Sequence, residues 1–154
     1  MSLGIGAFAY RDSEDEDMVV YNYGVYDLND PELRNSEHIT DGSIIILKEC
    51  FIEPEIHSKI KRINARKKRV SVRVPRYVDI VDLIRNESII IENSRSCWKM
   101  LYEDDHTDIM AFRLVSLMFN KYQTDSVIPD HVRLDMRYIL YYSDNWTIEK
   151  YAQK

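Results

Sequence analysis

Nine basic residues, Lys59, Lys61, Arg62, Arg66, Lys67, Lys68, Arg69, Arg73 and Arg76, fall within a segment of 18 positions, 59 to 76, that holds no acid. Bases at that density hold phosphates, because each neutralised phosphate releases condensed counterions and a guanidinium fork matches two phosphate oxygens at once. The rest of the chain has the opposite sign. Residues 1 to 58 carry 13 acids and 3 bases, residues 77 to 154 carry 13 acids and 9 bases, and the whole has a net charge of -5. A basic island therefore sits in an acidic protein. Two features weigh against a nucleic-acid domain: the pI is near 5.4, where such domains commonly exceed about 9, and Tyr77 is the sole aromatic residue nearby, which leaves no interleaved stacking platform. The competing expectation, which the charge balance favours, is neutralisation within the chain. In that arrangement Arg69 and Arg73 lie close to the carboxylates of Asp12 to Asp17 or to Asp79 and Asp82.

The other candidate chemistry is sparser. Glu103-Asp104-Asp105-His106-Thr107-Asp108 gathers carboxylates and an imidazole within six residues, a donor set suited to a hard or borderline metal. The same residues make an acidic helix entry, with carboxylates at the positive end of the helix dipole and Thr107 or Asp105 as the cap. Since that accounts for all of them, no metal site is expected. The acidic stretch Asp12 to Asp17 lacks the glycine and terminal Glu of a calcium loop and reads as a solvated hairpin tip. Glycine occurs four times, too rarely and at the wrong places for a phosphate-cradling loop. None of the common zinc, dithiol or serine-nucleophile motifs is present either. Cys97 has Arg95 and Lys99 close by, as an activated thiol would need, but Trp98 beside it points to packing. Cys50, next to Phe51, reads as core. His38, His57 and His131 read as surface residues. No catalytic residue and no cofactor are expected.

Tyrosine is in excess, with eleven residues, and Tyr138, Tyr141, Tyr142, Trp146 and Tyr151 crowd toward the C-terminal end. An apolar body with a polar tip suits protein interfaces, and strand propensity accounts for many of the same residues. Tyr141 and Trp146 are the candidates for contact with a protein partner.

The elements that must carry these residues follow from hydrophobic period. Ile5 to Tyr10 and Met18 to Tyr26 flank the acidic stretch as a β-hairpin, with Val19, Tyr21, Tyr23 and Val25 on one face. Asp41-Gly42 leads into a third strand, Ser43 to Leu47. After Pro54, Ile56, Ile60 and Ile63 recur at helical spacing and predict a short amphipathic helix. Val70, Val72 and Val74 alternate with Arg69, Ser71 and Arg73, a strand with one basic face that ends at Pro75. Tyr77 to Arg85 reads as a short helix with Asp79 and Asp82 toward solvent, and Ser88 to Glu92 as a strand. Ile109 to Tyr122 is apolar nearly all round, Arg113, Ser116 and Asn120 forming a narrow polar stripe, so it is expected to be a central helix with Leu117 buried. From Val132 to Leu140 the chain alternates as a strand, although Val132, Met136, Ile139 and Leu140 also fit a helix. Together these predict one α+β domain over residues 1 to 154, a mostly antiparallel sheet beginning with the N-terminal hairpin and packed against the helix near 109 to 122.

Composition bounds the rest. A chain of 154 residues, 45% apolar and 31% charged, has the size of one domain and enough apolar content to fold. Two cysteines suit a reducing compartment, the first residues hold no export signal, and Ile109 to Phe119, interrupted by Arg113, is far too short to span a membrane. A cytoplasmic protein is expected. The function these features favour is a non-catalytic interaction module with a protein partner, one form being an acidic, Tyr-rich surface that occludes a basic partner as a toxin-neutralising immunity protein does. The alternative is a phosphate- or nucleic-acid-binding module using Lys59, Arg62, Arg66, Lys67, Lys68, Arg69 and Arg73. An enzyme ranks third, because no pair of nucleophile and base can be assembled.

Overall fold

The first two strands, β1 (Ile5–Glu14) and β2 (Met18–Asp27), form the expected hairpin, in a computed structural model that describes residues 4–92 and 108–136. β1 runs further toward the tip than its apolar residues do, with a register shift between Arg11 and Ser13. The turn is closed by Asp15, whose carboxylate accepts from the amides of Asp17 (2.7 Å) and Met18 (2.9 Å). β3 (Gly42–Leu47), β4 (Glu55–Ile63), β5 (Arg66–Val74), α1 (Ile80–Arg85), β6 (Ile89–Glu92), α2 (Ile109–Asp125) and β7 (His131–Met136) follow. β6, β3, β2, β1 and β7 lie in that order in one sheet, and β4 pairs with β5 in a second. Every pairing is antiparallel. The protein is α+β, as predicted.

One face of the five-stranded sheet and one long helix make the core. Ala7 and Ala9 of β1, Val19, Tyr21 and Tyr23 of β2, Ile44 and Ile46 of β3, Ile89 of β6 and Val132 and Leu134 of β7 are buried with Phe112, Leu114, Val115 and Met118 of α2. Alternation puts these strand residues on a common face, and the alanines of β1 let the helix lie close over the sheet. Two tyrosines inside this core keep their hydroxyls satisfied. Tyr21 donates to the Pro129 carbonyl (2.7 Å) and Tyr23 to the Asp108 carboxylate (2.8 Å). Asp108 is itself buried and caps α2 by accepting from the Met110 amide (2.9 Å), so the cap is neither Thr107 nor Asp105. Leu117 is half-exposed at the core's margin; the helix's fully enclosed leucine is Leu114.

The opposite face of the sheet is partly covered by residues 28–41. Asn35, with φ 47°, donates to the carbonyls of Val25 (3.1 Å) and Ile39 (2.9 Å) and accepts from the Ile39 amide (2.8 Å). The loop then passes so close to Gly24 that a Cβ there would clash with the Ile39 carbonyl oxygen. α1 begins at Ile80, three residues later than predicted, and is capped by Asp79, whose carboxylate accepts from the Asp82 amide (3.1 Å).

The segment after Pro54 overturns a prediction. Residues 55 to 63 are a strand, not a helix. Ile56, Ile60 and Ile63 fit a helical stripe, but three β-branched residues fit a strand as well, and β5 offers a full ladder of partners from Glu55↔Val74 to Ile63↔Arg66.

Candidate functional site

Two strands, a two-residue turn and two prolines define the site. Asn64 (φ 51°) and Ala65 (φ 64°) connect β4 to β5 directly, and positive φ at both positions is the type I′ geometry whose twist matches paired strands. Pro54 and Pro75 bracket the hairpin, ending the ladder on both strands where an amide donor is lost. Every residue of β4 is exposed, Ile56 at 61% and Ile60 at 65%. On β5, Val70, Val72 and Val74 are only half-covered. The hairpin is a ribbon projecting from the sheet.

Its register distributes the bases. Directly opposed residues share a face, so Lys59, Lys61, Arg66 and Lys68 lie on one side with His57, Val70 and Val72. Arg62, Lys67, Arg69 and Arg73 lie on the other with Ile56, Ile60, Ser58 and Ser71. The ribbon's one acid, Glu55, sits at the root beside His57, 2.8 Å from its Nε2.

The root is clamped to the C-terminal end of α2. Arg73 donates to the Thr124 carbonyl (3.0 Å) and to Ser126 Oγ (3.0 Å), a helix terminus that favours a cation. Ser126 Oγ in turn donates to Glu53 Oε2 (2.8 Å), and Tyr122 donates to Glu53 Oε1 (3.0 Å). Burial first, and then Glu53, push the Tyr122 phenol above its ordinary pKa. Gln123, buried, holds the backbone of Arg76 from both sides, accepting from its amide (2.5 Å) and donating to its carbonyl (2.9 Å). Arg73 is thus a structural anchor.

The expected neutralisation does not occur among the described residues. Among the described residues no carboxylate comes within 4.0 Å of any base from Lys59 to Arg76. Of the hairpin acids Glu14 finds other cations, Lys48 (3.1 Å) and Arg11 (3.8 Å), and Arg11 also pairs with Asp130. Asp79 caps its helix. The ribbon's bases are exposed, so their charge remains available.

Elsewhere the structure assembles less. A cavity of about 480 Å³ lies between the 28–41 loop and the adjoining ends of β1 and β7, with Tyr26, Arg34, His38, Arg133 and Asp135 among its lining. Arg133 is 3.6 Å from Asp135, to which Tyr26 donates; burial first, and Asp135 next, raise the Tyr26 pKa. Arg34 stands without an ion-pair partner among the described residues, and no nucleophile meets a base there. Cys50 is buried as expected, and burial raises its thiol pKa. No cluster of metal-binding side chains occurs among the described residues, and Asp108 serves the helix cap and Tyr23. Within the same residues no helix is long and apolar enough to cross a membrane. Tyr141, Trp146 and Cys97 lie outside the described residues, as do residues 103 to 107. Compared with known protein families, curated proteins and solved structures, the chain finds no match.

Proposed function

We propose that the chain is a non-catalytic binding module whose β4–β5 ribbon holds nucleic acid. The observation that carries this is a projecting two-stranded ribbon with seven bases, Lys59, Lys61, Arg62, Arg66, Lys67, Lys68 and Arg69, that among the described residues neither pair with a carboxylate nor anchor the root. A protein with a net charge of -5 is an unpromising polyanion binder only where its acids approach the ligand. Nine residues of strand extend about 30 Å, several times the Debye length of about 8 Å at physiological salt. A ligand at the tip is screened from the acidic body.

The test is fluorescence anisotropy with a labelled DNA duplex at low salt. Binding is expected, with log K falling against log salt at a slope no steeper than about -6 if all seven bases meet phosphates. Replacing Arg66, Lys67 and Lys68 with Glu is expected to abolish it. A parent protein that retains neither DNA nor RNA at low salt overturns the proposal.

A second function, an acidic surface that covers a basic protein partner, is supported by the β1–β2 tip. Asp12, Glu16 and Asp17 have no cation within ion-pair distance among the described residues. Reversing these three to Lys would remove such binding and leave DNA retention intact.

A further inference from the structure

We infer that the ribbon enters the major groove of B-form DNA and grips both phosphate walls, an inference that rests on the nucleic-acid function proposed above. The geometry behind it is the division of the free bases between two faces. The five cross-strand rows nearest the turn, from Lys59↔Val70 to Ile63↔Arg66, each carry a base, and successive rows present it on alternate sides. Lys59, then Arg69, then Lys61 with Lys68, then Arg62 with Lys67, then Arg66 describe that alternation. The four rows nearer the root hold Ser58, Ser71, the His57–Glu55 pair and the anchored Arg73. The ribbon is therefore a stalk with a charged distal half.

A ribbon lying flat on an acidic protein or on a single strand would use one face and leave the other in water. Charge on both faces suits a slot with negative walls on both sides. A sheet with its side chains is about 10 Å thick, since packed sheets stand that far apart. The major groove of B-DNA is about 12 Å wide and admits a two-stranded ribbon, whereas the minor groove is about 6 Å wide. The major groove of A-form RNA is too narrow for side chains to enter. The ribbon also carries no Phe, Tyr or Trp, and its one imidazole, His57, lies at the root against Glu55, so single strands lack a stacking surface along the charged half. Ile56 and Ile60 add β-branched apolar contact toward the stalk.

Two variants test this in the full-length protein. One is Lys59→Gln, Lys61→Gln and Lys68→Gln; the other is Arg62→Gln, Lys67→Gln and Arg69→Gln. All six side chains are exposed, so folding should survive, and circular dichroism checks it. Anisotropy against salt is measured with a DNA duplex of about 20 base pairs, its single strand and the matching RNA duplex. The parent is expected to prefer the DNA duplex by about tenfold or more, and each variant to lose about 2 to 3 units of salt slope, to a similar extent. Netropsin, a minor-groove ligand, should not displace the protein. Duplex binding that only one variant weakens, equal affinity for the single strand, or displacement by netropsin overturns groove insertion while nucleic-acid binding stands. Absence of binding by the parent to all three probes overturns both.

Discussion

Asp108 shows how much one side chain can carry. Its two carboxylate oxygens serve the first turn of α2 and the hydroxyl of Tyr23, deep in the core. Asp108→Ala removes the cap and strands a buried donor, and it is expected to cost roughly 2 to 4 kcal/mol in chemical denaturation. Asp15 works at the surface, where two backbone amides, first that of Asp17 and then that of Met18, hold its carboxyl below the ordinary value of 3.8. A depressed carboxyl stabilises the fold above the unfolded pKa and loses that contribution as pH falls through the folded one. Asp15→Asn should therefore alter the pH dependence of thermal unfolding only in the acid range, with no added slope above neutrality. Cys50 has its thiol pKa raised by burial first and by Glu49 next, and peptide mapping after brief alkylation of the native protein is expected to find it unmodified. Its place in the core was legible from Phe51 and the preceding strand. The identity of the helix cap was not: Asp105, Thr107 and Asp108 all qualify by type, and Tyr23, 85 positions away, engages the last of them.

The first strand of the ribbon, β4, is the element that sequence pattern misassigned, whereas β5 is the strand that its alternating valines predicted. Spacings of four and three made Ile56, Ile60 and Ile63 one helical stripe, whereas in the strand Ile56 and Ile60 share a face and Ile63 takes the other. Local pattern alone cannot separate these, because the deciding energy is the ladder with β5 and the ladder needs a turn. Asn64-Ala65 is a weak turn signal, since alanine resists positive φ. Ala65→Gly should relieve about 1 kcal/mol of that strain and leave the strand pairing unchanged, read as greater amide-exchange protection in β4 and β5. For α2 the pattern sufficed to place the helix but misjudged one face. Leu114→Ala is expected to cost about 2 to 5 kcal/mol, and Leu117→Ala clearly less, in paired unfolding measurements.

At the scale of the molecule the ribbon and the five-stranded sheet are separable. Their described connections are confined to the root, through Arg73, Arg76 and Glu53. Since Glu55 pairs with Val74, a short Gly-Ser link can replace residues 55 to 74. The truncated protein is expected to keep cooperative unfolding and near-native circular dichroism while losing DNA retention. Loss of the fold would show that the ribbon supports the sheet. Composition, charge segregation, the first hairpin, the α+β class and the central helix were all determined by the sequence itself, because each rests on residues close together in the chain or on a count. Only the tertiary structure decided whether the nine bases meet acids. Ion pairs depend on distances of a few ångströms between residues far apart in sequence, and here strand pairing leaves the bases exposed while Arg11 and Lys48 take up Glu14 and the start of α1 takes up Asp79.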